Sequence, residues 1–424
     1  MTDTEIFTKT PAHPSDAAMH PLWTPQGRQD PYPWYQHMLA NEPVAELPEI
    51  DAWGIFRYDD INQILRNDGD PFSIERRFDR MPEEQREVYF ATGTLVGIDP
   101  PRHTRLRTLA GQAFRPNVIE ALRPYTERVS AELLDRTLPR GEFNFLTDYA
   151  TPLPQSLITE LMGVPDEDRD IYYGLTRDIE NSMSHYIGMP VSEAQLALGK
   201  KAYNQLCALF DPIFEDRRRN PRKDMMTGLI EAEADGEKLS QWELQKMAIF
   251  AYFAAFQTTQ GLLSNSLLIL DQNRDQLEKL RANPALIPKA IDEILRYRAP
   301  APVITRMVTS DVELRNKTIP KGSMALLFLN AANHDPSVFP NPEKFDVERP
   351  NAARHLAFAI GAHFCLGAAL ARLEGQVFLQ HWLKRVKDFE IMDKGLLDWE
   401  PENINVLTLR NLSVRVETFE HEMA

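Results

Sequence analysis

The sequence of 424 residues predicts a mainly α-helical protein of the α+β class. Residues 117–235 have the pattern of helices broken at prolines, and residues 240–272 have the pattern of one long helix. Strand-like segments gather in the N-terminal third, in residues 301–330 and near the C-terminal end. A hydrophobic content of 43% is ample for a large buried core. We therefore expect one domain over residues 1–424, with a large helical region and a smaller β-rich region.

The N-terminal part of the chain predicts a lead-in, a helix, strands and an irregular stretch. Residues 1–30 are polar and contain prolines, so we expect a loose lead-in. A helix is predicted over residues 34–41, and the β-prone content of residues 44–58 predicts strands. Residues 70–97 mix charged and aromatic side chains with weak periodicity, which predicts a long irregular segment. Irregular segments of that length are often functional.

Prolines mark the ends of several predicted helices. A helix can begin after Pro101, because proline is well suited to the start of a helix. His103 and Arg107 would then lie on one face of that helix, since they are four residues apart. Further along, Gly188–Pro190 interrupts two helical runs and predicts a mobile corner.

The long helix is predicted to run buried through the molecule. Ser240 followed by Glu243 is the capping-box pattern of a helix N-terminus, and the body that follows is apolar nearly all round. The remaining predicted elements are a helix over 284–298, strands within 301–330, a meandering loop over 331–357, a helix over about 366–387, and short strands that include Leu407–Leu409 and Leu412–Val414.

Composition and charge exclude several classes of protein. The formal net charge is −15, so nucleic acid is not an expected partner. The two cysteines, Cys207 and Cys365, argue against a disulfide framework and fit a reducing compartment. No secretory signal is visible, and no stretch approaches the roughly 20 apolar residues that span a bilayer. We therefore expect a soluble, cytoplasmic protein that is a monomer and has no membrane partner.

Cys365 lies in a short apolar loop between Gly361 and Gly367, and a strong helix-forming run follows it. The cysteine is therefore predicted at or just before a helix N-terminus, where unpaired N–H groups and the helix dipole favour an anion. That position predicts a lowered thiol pKa and a thiolate able to bind a metal. Phe358 can cover one side of the sulfur. Taken alone, a cysteine in an apolar run can equally be a small buried hydrophobic residue.

The pattern of the whole loop is more specific than its cysteine. Residues 358–367 read Phe-x-x-Gly-x-His-x-Cys-x-Gly, which resembles the haem-binding loop of the cytochrome P450 family. In that family the proximal ligand of the iron is a cysteine thiolate. The resemblance implies haem b as the cofactor and Cys365 as the metal ligand. It also implies that four further residues of the loop bind the cofactor: Phe358, Gly361, His363 and Gly367.

Glu293 and Arg296 lie three residues apart, on one face of a predicted helix. Such a pair is common on protein surfaces, where it contributes about 0–1 kcal/mol. Here the flanking residues are apolar, which indicates burial, and a buried pair needs further partners. The resemblance places the pair in the family's Glu-x-x-Arg motif and makes Arg349 the arginine that clamps it. The implied role is structural, because this clamp locks the loop that carries Cys365.

Haem has two propionates, which need basic partners. His103 and Arg107 match the His-x-x-x-Arg pattern of the family, and Arg306 and His355 match two further propionate contacts. Each of these residues alone is more commonly an ordinary surface side chain. It is the occurrence of all four at family positions that implies cofactor binding.

The long helix carries Ala-Ala-Phe-Gln-Thr-Thr where the family has Ala-Gly-x-(Asp/Glu)-Thr-Thr. The resemblance implies that Ala254 and Ala255 let the helix pass close to the haem. Thr258 matches the catalytic threonine, whose hydroxyl and water chain deliver protons, with Gln257 and Thr259 beside it. Glutamine cannot release a proton at neutral pH. The departure at Gln257 therefore bears on the proton route.

The implied activity is that of a haem-thiolate monooxygenase, which inserts one oxygen atom from O2 into a small, mostly hydrophobic substrate. Electrons would come from ferredoxin and ferredoxin reductase, and Arg115 and His363 could help to dock the ferredoxin. Arg76, Arg77 and Arg80 leave an acidic substrate open. Family positions predict the pocket walls in residues 72–97, 170–190, 254–258 and 300–304, and at Val406.

Two other classes of function stay open. One is a haem-thiolate enzyme with an atypical outcome: C–C coupling, desaturation, rearrangement or peroxide-driven oxidation. Gln257 keeps that class open, because it replaces the usual acid. The other class is a haem-binding or ligand-binding protein without catalysis.

Overall fold

The structure is a computed structural model that describes residues 24–67, 69–80, 95–183, 192–392, 395–400 and 406–419. The predicted corner at Gly188–Pro190 lies outside these ranges. So does the middle of the predicted irregular segment. The described ends of that segment form a short strand, a 3-10 turn at Arg76–Arg80 and the turns that lead into the next helix.

Helices account for most of the described chain. They are α1 (Pro25–Gln29), α2 (Tyr32–Asn41), α3 (Tyr58–Arg66), α4 (Arg102–Ala113), α5 (Pro116–Glu120), α6 (Arg123–Thr137), α7 (Pro152–Met162), α8 (Arg169–Met183), α9 (Glu193–Arg219), α10 (Met225–Glu231), α11 (Gln241–Gln272), α12 (Arg274–Ala282), α13 (Ile287–Tyr297), α14 (Leu329–Ala332) and α15 (Ala368–Arg385). A π-helical turn, Leu146–Ala150, precedes α7.

Within the described ranges, the strands form two larger sheets and two hairpins. They are β1 (Val44–Leu47), β2 (Ala52–Ile55), β3 (Phe72–Ser73), β4 (Glu142–Asn144), β5 (Glu233–Ala234), β6 (Glu237–Lys238), β7 (Val303–Val308), β8 (Val312–Leu314), β9 (Lys317–Ile319), β10 (Met324–Phe328), β11 (Val386–Ile391) and β12 (Ser413–Thr418). The five-stranded sheet has the order β1-β2-β10-β7-β3, with β2 and β10 parallel. The three-stranded sheet has the order β11-β12-β4 and is antiparallel, and β5-β6 and β8-β9 are hairpins.

Helix α11 is the central element of the helical region, as predicted. The Ser240 hydroxyl accepts the N–H of Glu243 at 3.3 Å, and the Glu243 carboxylate accepts the N–H of Ser240 at 2.8 Å, which completes the capping box. The helix packs against α7, α9 and α15 in the larger hydrophobic core. Among the described helices, none combines the length and the apolar character that crossing a bilayer requires.

The β-rich region has its own hydrophobic clusters, which involve α2, α3 and the five-stranded sheet. Helix α3 contributes Ile61, Ile64 and Leu65 to one of them. The cofactor loop predicted around Cys365 reaches this region, because the turn Gly361–His363 packs against α3. The candidate site therefore lies between two separately packed regions.

The predicted helices over 34–41, 240–272, 284–298 and 366–387 are confirmed to within a few residues at their ends. The predicted strand at Leu407–Leu409 is wrong, because these residues make only an isolated bridge between Leu409 and Trp399. The backbone of these residues forms hydrogen bonds to loop residues and not to a neighbouring strand of a sheet. The Leu407 N–H donates to the carbonyl of Pro300 at 2.8 Å, and Thr408 accepts from Glu400 at 2.9 Å.

The end of the predicted loose lead-in is ordered. Thr24 caps α1 by accepting the N–H of Gly27 at 2.9 Å. Arg28 is buried and its guanidinium donates to the carbonyl of Glu400. Arg298 in turn donates to the carbonyls of Arg28 and Gln29 at 2.9 and 3.0 Å. These tertiary contacts order a short helix that composition alone does not predict.

Candidate active site

The loop that carries Cys365 is fixed by backbone contacts. The Cys365 N–H donates to the carbonyl of Phe358 at 2.8 Å, and α15 begins three residues after the cysteine, as predicted. Gly361 has φ +77°, and a Cβ at this position would lie 2.0 Å from the carbonyl oxygen of Leu65. A side chain is therefore excluded there. Gly367 has φ −85° and open space around its missing Cβ, and that space belongs to the adjoining cavity.

Cys365 and Thr258 line the same cavity, which has a volume of about 340 Å³. Its walls are mostly apolar. Helix α11 contributes Met247, Phe250, Ala251, Ala254, Ala255, Thr258, Thr259 and Leu262, and other elements contribute Leu95, Val96, Phe114, Ile158, Pro300, Ala301 and Ile304. The walls predicted in residues 72–97, 254–258 and 300–304 are thus found in part. None of the described residues in 170–190 lines this cavity, and neither does Val406.

The thiol of Cys365 has a pKa above its ordinary value, because burial disfavours the thiolate. The Gly367 N–H and the charges of Arg107 and Arg372 act in the opposite direction but do not prevail. The predicted lowering of the thiol pKa is therefore wrong for the polypeptide by itself. The side chain is nevertheless accessible, and the cavity is the space it faces. A thiolate at this position needs a positively charged partner inside the cavity.

Buried nitrogen atoms without partners lie beside the cysteine loop. The rings of His103 and His363 are 3.9 Å apart between centroids. Both nitrogens of His103 and Nε2 of His363 are buried and have no hydrogen-bond partner in the described ranges. Burial and nearby Arg107 lower the pKa of His103 to about 4. Burial, then His103 and the charges of Arg306 and Arg77, lower the pKa of His363 to about 2. We call His103, His363, Arg107, Arg306 and Arg77 the basic cluster. The charges of its arginines suit an anionic ligand.

The arginines of the cluster come from separate elements. Arg107 follows His103 on α4, lines the cavity and donates to the carbonyl of Phe364 at 2.5 Å. Arg306 is buried on β7. Arg77 was predicted only as a contact for an acidic substrate, but it is buried against β7, donates to the Thr305 hydroxyl at 3.3 Å and lies close enough to His363 to lower its pKa. No motif in the sequence marks Arg77, because its position depends on the fold of an irregular segment.

His355 does not join this cluster. Its Nε2 lies 3.4 Å from the carboxylate of Asp292, and its Nδ1 accepts the N–H of Ala357 at 3.1 Å. Both ring nitrogens therefore have partners within the protein, and His355 does not line the cavity. A propionate contact at His355 therefore stays a prediction, and the contacts that the structure gives this residue lie within the protein.

The clamp predicted from Glu293, Arg296 and Arg349 is assembled and buried. Arg296 donates to the Glu293 carboxylate through Nε at 2.7 Å and Nη2 at 2.9 Å, and Arg349 Nε donates to the same carboxylate at 2.9 Å. The other guanidinium N–H groups donate to backbone carbonyls in the stretch before the cysteine loop: those of Asn333, Pro340, Asn341, Pro342 and Lys344. Two cations and one carboxylate thus hold this stretch against α13.

The two threonines of α11 bond to the helix backbone one turn earlier. The Thr258 hydroxyl donates to the carbonyl of Ala254 at 3.1 Å, and the Thr259 hydroxyl donates to that of Ala255 at 3.0 Å. All four of these residues line the cavity. Gln257 is half-buried and does not belong to the described lining. The hydroxyl of Thr258 keeps its acceptor lone pairs, so it can take part in a hydrogen-bond chain within the cavity.

Residues 46–411 match the family model described as cytochrome P450. The chain belongs to the cytochrome P450 family. It is 35% identical to a putative cytochrome P450, YjiB of Bacillus subtilis, over 86% of this chain and 90% of that protein. The solved structure of the B. subtilis bacillaene polyketide synthase cytochrome P450 PksS has a TM-score of 0.84 at 32% identity, over 94% of this chain and all of that one. CYP109E1 of Bacillus megaterium, solved with testosterone, has a TM-score of 0.80 at 29% identity, over 91% and 99% of the two chains.

Membership of this family makes the chain a monooxygenase that uses haem, a small-molecule substrate and a redox partner. The cytochrome P450 fold, mainly α-helical with small sheets, is likewise confirmed. The residues present fit a haem on three observations. Cys365 opens onto an apolar cavity, unpartnered buried nitrogens of His103 and His363 adjoin it, and three arginines supply positive charge for two carboxylates.

Proposed function

We propose that this cytochrome P450 hydroxylates a small, mostly hydrophobic molecule, with haem b as cofactor and a ferredoxin as electron donor. The observation that supports this most directly is that Cys365 and Thr258, from two different elements, line one apolar cavity. A single-domain, monomeric, cytoplasmic protein is part of the same proposal. The sequence has only two cysteines and a net charge of −15, which fit that setting.

In this proposal Cys365 is the thiolate ligand, and the basic cluster of His103, Arg107, Arg306 and His363, extended by Arg77, holds the propionates. When bound, the haem supplies the activation of O2, with one oxygen atom passing to the substrate and the other to water. Phe358 and the apolar walls exclude water from the sulfur and from the substrate. Glu293, Arg296 and Arg349 act structurally, by fixing the stretch that leads into the loop.

Thr258 is assigned the proton-relay role. Its hydroxyl donates to the carbonyl of Ala254 at 3.1 Å and can at the same time accept a hydrogen bond from water. It can therefore form one link of a proton-conducting chain. Ala254 and Ala255 keep this side of α11 narrow, so that the helix backbone can approach the cofactor. Gln257 can orient water but cannot supply a proton, and Thr259 supports the same helix turn through Ala255.

The surface next to the cysteine loop suits an acidic redox protein. Phe364, beside the cysteine, is 40% exposed. Three arginines, Arg66, Arg354 and Arg372, line a surface pocket that also includes Phe364. Arg115 is exposed and remains a docking candidate. His363 is not available for that role, because its ring packs on His103 beside the cavity. We therefore assign the ferredoxin to this face through its arginines.

The cavity favours an apolar substrate. Phe114, Phe250 and Ile158 contribute to its walls, and the CYP109E1 structure, which was solved with testosterone, offers a chemical class to begin with. Arg77 was one of three arginines, with Arg76 and Arg80, that left an acidic substrate open, and its position in the basic cluster removes its part of that support. A spectroscopic screen for molecules that displace water from the iron, beginning with steroids and other apolar compounds, would identify substrates.

Thr258→Ala is expected to reduce coupled product formation about 10²-fold, because a positioned proton donor of this kind contributes at least that factor. Electron consumption should continue, with peroxide as the product. The assay uses isotope-labelled O2, a ferredoxin system and a substrate from the screen. The matched control is Ser264→Ala, since Ser264 makes the same type of bond on α11, to Gln260 at 2.8 Å, and does not line the cavity. Well-coupled turnover without label in the product would contradict hydroxylation.

An atypical haem-thiolate reaction is the second candidate function, and Gln257 is the observation that favours it. If proton supply limits the proposed hydroxylation, Gln257→Glu should raise the O2-dependent rate by up to about tenfold. Gln260→Glu, one turn along the same helix and also half-buried, is the control and should leave the rate unchanged. An unchanged rate in Gln257→Glu with altered substrate affinity would instead assign Gln257 to substrate binding.

A further inference from the structure

Three polar side chains meet outside the cavity, behind Phe358. Asp292 directly precedes Glu293 on α13, and its Oδ1 accepts from Arg372 Nε at 2.8 Å and lies 3.4 Å from His355 Nε2. We call these three residues the Asp292 cluster. It joins three parts of the chain: α13, the stretch before the cysteine loop, and α15. The clamp and the basic cluster do not include Asp292 or Arg372, so neither accounts for them.

The Asp292 cluster holds the ring of Phe358. The guanidinium carbon of Arg372 lies 4.7 Å from the ring centroid, and the ring of His355 lies 5.5 Å from it. A cation over an aromatic face is attracted by the negative face of the ring, and more strongly where water is excluded. Phe358 in turn lines the cavity together with Cys365 and accepts the cysteine N–H through its carbonyl. The cluster therefore contacts the cysteine loop through one aromatic residue.

The cluster contains one negative and one positive charge. Burial disfavours ionisation of Asp292, but the hydrogen bond from His355 and the charge of Arg372 outweigh it and hold the pKa of Asp292 below its usual value. Burial lowers the pKa of His355, so its ring is neutral at pH 7. Arg372 brings its positive charge to the ring of Phe358, the residue whose carbonyl accepts the Cys365 N–H. Asp292 offsets that charge and keeps the guanidinium over Phe358.

We propose that Asp292 and Arg372 are positioning residues that set the reduction potential of the haem iron, by holding a balanced pair of charges against Phe358 beside the Cys365 sulfur. The inference rests on the proposed function for the presence of the haem. Reduction adds an electron to the iron, so a nearby positive charge favours the reduced state and a nearby negative charge opposes it. The two residues therefore act in opposite directions.

The test compares reduction potentials of haem-loaded variants, measured by dye-mediated titration without substrate or redox partner. Arg372→Gln should disfavour reduction, and Asp292→Asn should favour it, each by at least about threefold in the equilibrium constant. At 59 mV per tenfold for one electron, threefold is roughly 28 mV. Arg372→Lys keeps the charge and should restore most of the wild-type potential.

Arg354→Gln is the matched control, and it should leave the potential unchanged. Arg354 lines the same surface pocket, but its guanidinium lies over the ring of Tyr58, at 5.7 Å, and not over Phe358. If Asp292→Asn does not fold, Arg372→Gln and Arg372→Lys still decide the question, because the Arg372 side chain is 30% exposed and we expect both variants to fold.

Unchanged potentials, or shifts of Arg372→Gln and Asp292→Asn in the same direction, would overturn the inference, since a loosened loop would move both variants alike. The spectrum of the wild-type protein separates this result from failure of the proposed function. If the wild-type protein has the haem-thiolate spectrum but the variants have the wild-type reduction potential, only the role of Asp292 and Arg372 is overturned. A wild-type protein without that spectrum overturns the proposed function and this inference with it.

Discussion

Cys365→Ser is expected to abolish the long-wavelength Soret band of the reduced carbon monoxide complex, together with all O2-dependent turnover. A serine hydroxyl is similar in size but does not supply the sulfur ligand on which cleavage of the O–O bond depends. The polypeptide should still fold, because the Cys365 side chain faces the cavity and not the packed core. The visible spectrum after reduction and addition of carbon monoxide measures the first effect, and circular dichroism checks the fold.

Cys207→Ser is the control for this substitution, because Cys207 is the other of the two cysteines in the sequence. Cys207 is half-buried and packs at the margin of the larger hydrophobic core. Its replacement should leave the carbon monoxide spectrum unchanged. Persistence of the long-wavelength band in fully haem-loaded Cys365→Ser would show that another residue is the ligand.

Glu293→Ala is expected to lower the free energy of unfolding by about 3–5 kcal/mol, the cost of leaving a buried charge without its partner. Without the carboxylate, the guanidinium groups of Arg296 and Arg349 repel each other in a site where Arg296 is fully buried. The stretch before the cysteine loop should loosen, so the variant should also release haem more readily. Urea unfolding and haem transfer to an acceptor protein measure the two effects.

Glu132→Ala is the corresponding surface control. Glu132 pairs with Arg128 at 3.8 Å on α6, and both side chains are about 60% exposed. Its removal should cost less than about 1 kcal/mol, because solvent screens an exposed pair. Equal effects of Glu293→Ala and Glu132→Ala would mean that the buried clamp contributes no more than a surface ion pair.

The elements that the sequence predicted well are those whose signal is local. Helix α11 has a capping box and a long apolar body, and both ends agree with the prediction. The predicted helix over 366–387 overlaps the start of strand β11, because α15 ends at Arg385 and β11 begins at Val386. Its pairing with β12, and that of β12 with β4, brings together segments that are distant in sequence. Strand formation of this kind depends on tertiary partners more than on local composition.

The candidate site was predicted where a motif fixes both spacing and residue type. Cys365 and Thr258 line one cavity, and Gly361 forms the tight turn of the cysteine loop against Leu65. The contacts that the sequence does not predict are those that depend on a neighbour from another element. His355 finds Asp292 instead of the cavity, and Arg77 reaches the basic cluster from an irregular segment.

The thiol pKa was mistaken for a related reason. The position of a helix N-terminus can be estimated from the sequence, but the amount of water around a side chain cannot. Burial around Cys365 outweighs the N–H of Gly367 and the nearby guanidinium charges. A local electrostatic argument therefore gave the wrong direction for the polypeptide alone.

The close approach of Gly361 to Leu65 has a consequence for how the holoprotein matures. Leu65 belongs to the cluster under the five-stranded sheet, whereas the α11 residues that face Cys365 belong to the larger helical core. Haem bound between them would contact both regions and so hold the two hydrophobic clusters together. We therefore expect the cofactor-free chain to open first between these two regions, where Gly361 meets Leu65.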